Sequence, residues 1–379
     1  MAPATWGWLA ALLGWSLLLF FYDLDGGAGF EPVDCWVAQT AREMYENVAA
    51  DGWRGLIIPE FCGEVRMQKS PGPYWAVMLT AWLRGTPVDE VSARIPSATL
   101  AVVFVLTVFW LTRRIAGDRA AVFAGFAALS SATLLYWSHR AASDLGVASL
   151  MALSLACLWI GSEATPSGPR RVMLWLAGYF CAGLAMLYKM PMPLVCVGLP
   201  ALLYVALCRR WRIFASWWHL AGLALFAIPW LPWMVLVLLQ EPTAWDKWRV
   251  EFLDRATGEL PNVAGQDAWF YWFFYLGVAF VFTAPWCLSI PGSILRALRG
   301  SDDIDSRGRW FLLLWFGGLL VFFSAATGKE TRYFLPAIAP LLCLLGVELS
   351  AFFDPRRRFN PAVERFATWV VLAAAPLAL

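Results

Sequence analysis

Only four of the 29 basic residues are lysines, and three of them, Lys69, Lys189 and Lys329, stand beside prolines, glycines or aromatics at the edges of apolar runs. They occur in "RMQKSPGPYW", "GLAMLYKMPMPLV" and "SAATGKETRYFLP". Acidic residues stand at similar edges: Glu31 and Asp34 in "FEPVDCWVAQTAREM", and Asp144 in "YWSHRAASDLGVA", which also carries His139 and Arg140. An ammonium and a guanidinium fork both take phosphate oxygens. A carboxylate among such cations can take a proton from a hydroxyl. The chemistry open to this set is transfer of a group held through an anionic handle.

Each residue has a plainer reading as well. Asp34 is either a helix N-cap or a general base, and Glu31 either its partner or a surface acid. Asp144 either caps a helix or lines a polar cavity with His139 and Arg140. Lys189 either snorkels or faces a cavity, since the flanking prolines break the helices there. Lys329 and Arg332 share one short turn, and Tyr333 follows it into an apolar run. Lys69 precedes a Pro-Gly-Pro turn that aims it, with Tyr74 and Trp75 anchoring the next helix. With two histidines in the chain, no histidine-built metal site is expected, and no cofactor is assigned.

The elements that must position these groups follow from composition. The chain is 60% hydrophobic and 15% charged, against about 25% charged in soluble domains, and holds 24 tryptophans. Runs long enough for the roughly 20 residues a bilayer crossing needs recur throughout. The expected fold is an all-α polytopic membrane protein with about 11 transmembrane helices. Spans are placed near 5–22, 94–112, 120–137, 144–162, 172–188, 191–207, 214–239, 268–290, 310–327, 333–352 and 366–379. The first run lacks a basic leader and a small-residue cleavage site, so it reads as a retained span. The last is short, so the chain is expected either to end in a half-buried helix or to lack a C-terminal region.

With the N-terminus inside, the inner segments hold 16 arginines, no lysine and 8 acidic residues. The outer ones hold the other 13 basic residues and 19 acidic residues. This is the positive-inside pattern. Two outer segments are long, 23–93 and 240–267. In the first, Val37, Ala41, Met44 and Val48 share one helix face, and "YWAVMLTAWLRG" is a helix too short to span, suited to the interface. The first extracytoplasmic loop is therefore expected to be a structured cap on a single transmembrane domain spanning 1–379. All the candidate residues then fall at one membrane face, where charge near the membrane is costly and usually functional. Six cysteines lie in or beside spans. Cys35 and Cys62 fall in the cap, either as a disulfide closing a 28-residue loop or as two free thiols.

"DCWVAQTAREM", "MQKSPGPYW" with "SARIPSATLAV", "GLAMLYKMPMPLV" and "GKETRYFLPAIAPLL", in that order, resemble the GT-C membrane glycosyltransferases. The bacterial branch meant is the one related to lipid A aminoarabinose transferase and to protein O-mannosyltransferases. The likeness runs over essentially the whole chain. Two departures stand out: Val33-Asp34 where the family usually has Asp-Glu, and Ser70-Pro71 where it usually has two prolines. The resemblance implies transfer of a sugar from a polyprenyl-phosphate donor to a lipid, glycan or protein acceptor, with inversion, at the outer face of a bacterial inner membrane. Asp34 and Asp144 would then be catalytic. Glu31, Lys69, Tyr74, His139, Arg140, Lys189, Lys329, Arg332 and Tyr333 would bind substrate. Membrane lipids are expected partners and nucleic acid is not. The alternatives are a lipid-linked sugar flippase or transporter, which would usually show two-halved symmetry, and an oligosaccharide ligase using a lipid-diphosphate donor.

Overall fold

A computed structural model describes residues 3–25, 29–67, 69–250, 272–300, 303–326 and 328–354. Helices dominate. In chain order they are α1 (Pro3–Phe21), α2 (Pro32–Asp51), α3 (Gly72–Arg84), α4 (Glu90–Leu129), α5 (Ala132–Ser138), α6 (Ser143–Trp159), α7 (Pro169–Tyr188) and α8 (Met192–Leu207). Then come α9 (Trp218–Ala227), α10 (Leu231–Gln240), α11 (Ala244–Arg249), α12 (Phe274–Thr283), α13 (Ile290–Arg299), α14 (Ser306–Ala325) and α15 (Ile338–Phe352). A two-stranded antiparallel hairpin, β1 (Glu60–Phe61) and β2 (Glu64–Val65), lies between α2 and α3.

Five helical stretches among the described residues are long and apolar enough to cross a bilayer, or seven when two bent pairs are each taken as one span. The protein is a multi-pass membrane protein. One of the five, α4, is two arms. Gly117 has φ 84°, a conformation that costs a side-chain-bearing residue but not glycine. Val108 and Ala124, 16 residues apart, would be about 24 Å apart in a straight helix. Yet Val108 accepts from the Cys343 thiol and Ala124 packs on Gly346, within one turn of α15. The chain folds back at Gly117, as the separate spans 94–112 and 120–137 require. Small residues allow the close approach: a Cβ on Gly346 would lie 2.4 Å from that of Ala124.

Three expected spans are broken. The 120–137 run is interrupted at Ser130 and Ser131, where Ser131 caps α5. The 214–239 run divides into α9 and α10, bent by 41°. The 268–290 run is not one span: after α12 the chain turns by 119° before 286–299. Pro285, which supplies no backbone donor, stands at that turn. The run 366–379 lies outside the described residues.

Contacts sort the helix ends into two sets. At one end Thr5 donates to Asp118, Asp305 N to the Ile115 carbonyl, and Arg119 to the Phe353 carbonyl. There too Arg210 and Arg307 hold Glu163, and Arg296 holds Glu348. At the other end lie the junctions α1–α2, α5–α6, α7–α8 and α14–α15, with the α2–α3 unit packed against them. In that unit Val37, Ala38, Ala41 and Met44 bury against Tyr74, Val77, Met78 and Ala81, with Ala93 and Ala141 beneath. Val48, on the same face, packs only partly buried. The apolar stripe of α2 has the width a buried helix face needs.

Candidate active site

Asp34 is 1% exposed and all three of its contacts have a clear local cause. Glu31 is the N-cap of α2, with Pro32 opening the helix, and Asp34 is the third helical residue. Asp34 Oδ2 accepts from Glu31 N at 3.0 Å and from Arg140 Nη1 at 3.0 Å, and Oδ1 accepts from Ala141 N at 2.7 Å. Asp34 is thus not the N-cap but the reciprocal member of a capping box. Both oxygens are fixed, one from its own helix and one from the α5–α6 turn.

Arg140 bridges the two acids. Its second Nη donates to Glu31, whose carboxylate also accepts from the Tyr136 hydroxyl at 3.1 and 3.2 Å. The guanidinium lies over the Tyr136 ring, 4.6 Å from the centroid. Burial opposes its charge, but the Asp34 hydrogen bond and the neighbouring negative groups outweigh this and raise its pKa. The two acids plus one cation leave a net negative cluster. Its carboxylate at Glu31 is half exposed and the one at Asp34 is enclosed.

Four residues on, Asp144 sits in the first turn of α6, 3% exposed, with Lys189 Nζ at 2.5 Å. Asp144 makes no cap; it serves as the counter-ion of Lys189. Lys189 follows the last residue of α7, before Pro191 and Pro193, so the backbone is irregular there as the prolines require. Its ammonium also lies 4.9 Å from the centre of the Tyr333 ring. Residues 140–144 span at most about 14 Å, so the two acid–base pairs belong to one locus.

The Lys69 loop is fastened to the same locus. Met190 N donates to Ser70 Oγ at 3.2 Å, which places the residues next to Lys69 and Lys189 in contact. Gly72 permits this approach, since a Cβ there would lie 2.6 Å from the Leu187 carbonyl oxygen. On its other side the loop is held by indoles: Trp248 Nε1 donates to Met67 O at 2.7 Å, Trp233 Nε1 to Ile57 O at 2.8 Å, and Trp75 Nε1 to Leu56 O at 2.9 Å. Lys69 itself is half-buried.

The remaining candidates serve the frame. His139 bonds through Nε2 to the Tyr22 carbonyl at 3.1 Å and through Nδ1 to the Leu135 carbonyl at 3.0 Å, tying the end of α1 to the turn. Tyr74 is 2% exposed among the cap residues, and burial pushes its phenol pKa up against the pull of Arg66. It faces the cap core, not the acid cluster. Lys329 donates to the Phe323 and Ser324 carbonyls at 2.9 and 2.6 Å, capping the C-terminus of α14. Burial lowers its pKa. Arg332 Nε lies 3.7 Å from Glu330. Of the 328–333 turn, then, Tyr333 reaches Lys189, while Lys329 is turned into a helix end.

Next to Asp34's neighbour Ala141, a crevice of about 10 Å³ runs between Val37, Pro73, Ser97, Ala141, Ala142 and Tyr188. A groove of about 610 Å³ lies two turns further along α2, between Arg42, Tyr45, Glu46, Trp82, Thr86 and Val88. Cys35 and Cys62 are both free and exposed. The Cys62 amide is bound by Glu43, eight residues or about 12 Å along α2 from Cys35, and a disulfide needs Cα atoms within about 7 Å.

Tyr136, Ser70 and Trp248 escaped the sequence reading. Tyr136 lies four residues before Arg140, the spacing of one helix face, and that was a usable signal. Ser70 and Trp248 act across 120 and 181 residues respectively, and no local pattern marks them.

Residues 68–235 match the family model described as dolichyl-phosphate-mannose-protein mannosyltransferase. The undecaprenyl phosphate-alpha-4-amino-4-deoxy-L-arabinose arabinosyl transferase of Edwardsiella ictaluri is 29% identical over 343 residues, covering 90% of this chain and 59% of that one. Its counterpart in Sodalis glossinidius is 30% identical over 331 residues, 86% of this chain and 57% of that one. The chain is similar to the GT-C membrane glycosyltransferases, on the side of the lipid A aminoarabinose transferases and the protein mannosyltransferases. Solved GT-C structures share the fold. ArnT from Cupriavidus metallidurans bound to undecaprenyl phosphate superposes with TM-score 0.82 at 23% identity over 97% of this chain and 64% of that one. The oligosaccharyltransferase AglB from Archaeoglobus fulgidus does so with TM-score 0.60 at 12% identity, over 99% of this chain and 55% of that one. The chain spans less than two thirds of the length of each of these GT-C relatives.

Proposed function

We propose that the chain is an inverting glycosyltransferase that moves a sugar from a polyprenyl-phosphate donor to an acceptor hydroxyl at the outer face of a bacterial inner membrane. The reading treats residues 1–379 as a transmembrane GT-C unit, with 23–93 and 240–267 as its extracytoplasmic loops. The observation that carries it is Asp34, a carboxylate enclosed and fixed at both oxygens beside a junction that also holds Lys69 and Lys189.

In the reaction the acceptor oxygen attacks the anomeric carbon from the face opposite the phosphate, forming a C–O bond as the C–O–phosphate bond breaks. Asp34 takes the hydroxyl proton, and Arg140 and the Ala141 amide keep the carboxylate aimed. Lys69 and Lys189 balance the charge that grows on the departing phosphate, which leaves without a general acid. Asp144 sets where the Lys189 ammonium stands. Holding both reactants in one geometry supplies much of the remaining acceleration. Glu31 and Tyr136 position Arg140. The acidic junctions and the α2–α3 cap share one end of the bundle, and the arginine-rich loops share the other, which supports an outward-facing site.

Purified protein incubated with a panel of radiolabelled polyprenyl-phosphate sugars is expected to transfer or slowly hydrolyse one of them. The undecaprenyl-phosphate aminoarabinose that names the relatives is the first member to try. Movement of intact donor in both directions across a proteoliposome, with no sugar released, would replace this reading with the flippase.

A further inference from the structure

At the arginine-rich end of the bundle, Arg113 and Arg114 stand just before the Gly117 turn of α4, and Arg170 and Arg171 open α7. The charges of Arg113 and Arg170 both act against that of Arg114. One carboxylate serves the set: Asp118 binds Arg113 Nε at 2.5 Å. Glu163, the next acid along, is taken by Arg210 and Arg307. Among the described residues no carboxylate pairs with Arg114, Arg170 or Arg171; the Nε of Arg114 is buried without a hydrogen-bond partner, while Arg171 lies over the Trp175 ring and donates to Ser167.

Arg170 and Arg171 also occupy the first turn of a 20-residue helix that has no acid there. Cations at that end oppose the helix dipole, so their placement costs stability until an anion meets them. Below them α7 presents an apolar stripe. Met173, Ala177 and Phe180 follow Arg170 at helical spacing and are exposed, Met173 at 68% and Phe180 at 40%. A cationic cluster at the head of an exposed apolar stripe matches the polarity of one anionic phospholipid.

We propose that Arg114 and Arg170, with Arg171 beside them, bind the phosphodiester of an anionic phospholipid of the inner leaflet, its acyl chain lying along Met173, Ala177 and Phe180. The guanidinium forks take the phosphate oxygens, and the bound anion relieves the repulsion among the arginines. The site lies at the opposite end of the bundle from Asp34 and does not rest on the sugar-transfer reading.

The test is native mass spectrometry and thermal unfolding of the intact chain in detergent, titrated with phosphatidylglycerol or phosphatidylcholine. Two surface cations favour the anionic lipid by roughly thirtyfold. The expected result is one tightly retained phosphatidylglycerol per chain, a preference lost in R114Q/R170Q and cut about fivefold in R170Q alone. R170Q changes an exposed side chain and decides the matter if the double variant does not fold. R299Q, at an exposed inner-face arginine outside the cluster, should leave the preference intact. Equal retention of both lipids, an unchanged preference in R170Q, or an equal loss in R299Q would overturn the proposal. An equal stabilisation by sn-glycerol 3-phosphate would overturn the lipid assignment.

Discussion

Arg140 reaches Asp34 and Glu31 with two different Nη atoms and a flat face against Tyr136. A lysine keeps the charge but cannot form two fixed bonds and stack at once. Arg140→Lys should therefore lower kcat by about tenfold to a hundredfold, the loss of one charge-assisted hydrogen bond, with little change in donor KM. Lys69→Ala should do the reverse, raising donor KM and flattening the salt dependence of donor binding. Steady-state kinetics at two ionic strengths separate these outcomes. If Arg140→Lys and Lys69→Ala shift the same constant, their assigned roles merge. The residue types at Asp34, Asp144, Lys69 and Lys189 were legible because charge is sparse in an apolar chain and conspicuous where it occurs. Their pairings were not. The Asp144–Lys189 contact joins residues 45 apart and depends on how α6 meets α7, which periodicity does not encode. The Lys329 contacts were hidden for the same reason, since which carbonyls an ammonium meets depends on how the helix before it ends.

At the scale of elements, the Lys69 loop is held by contacts at both ends. Gly72 lets α3 meet the end of α7, and Gly72→Ala should push them apart. It should destabilise the protein by about 1–3 kcal/mol and reduce transfer, with thermal unfolding and donor turnover as the readouts. The β1–β2 hairpin is pinned to α2 by Glu43, which accepts from Cys62 N at 2.8 Å and Gly63 N at 3.1 Å. Burial raises the Glu43 pKa, but the hydrogen bonds from Gln39, Gly63 and Cys62 prevail and hold it below 4.5. The folded carboxylate thus releases its proton more readily than the unfolded one. Its contribution is present in full above about pH 4.5 and drains away as pH falls through the lower folded value. Protection of the Cys62 and Gly63 amides, taken against the intrinsic exchange rate at each pH, should fall on acidification in the wild type and be low at all pH in Glu43→Gln. Equal exchange in the two proteins would free the hairpin from this carboxylate. The α2 face was legible from its 3.6-residue period. The break at Ser130-Ser131 was not, because neither proline nor glycine marks it and Ser131 works as a cap only once α5 exists.

On the scale of the whole molecule, the two sets of helix-end contacts follow the charge division read from the loops. The arginine-rich turns meet one another, and so do the junctions carrying Asp34, Asp144, Lys69 and Lys189. Hydropathy located the apolar runs well because a bilayer imposes one length on all of them. It could not tell a crossing from the 119° turn after α12, since both satisfy the same composition. Cys35 and Cys62, exposed and free on the α2–α3 unit, report the sidedness directly. A membrane-impermeant maleimide should label intact cells, and the labelling should vanish in a Cys35→Ala, Cys62→Ala double variant. Labelling only after permeabilisation would invert the topology.

The central claim is that Asp34 takes the acceptor proton beside a lipid phosphate held by the lysines. Its most direct measurement is the single-turnover rate of polyprenyl phosphate release from a labelled donor, for wild type and Asp34→Asn, at matched thermal stability and donor saturation. The account predicts a fall of about a hundredfold to ten-thousandfold, the usual worth of a general base, with donor still bound. An Asp34→Asn protein that turns over its donor at the wild-type rate would contradict it.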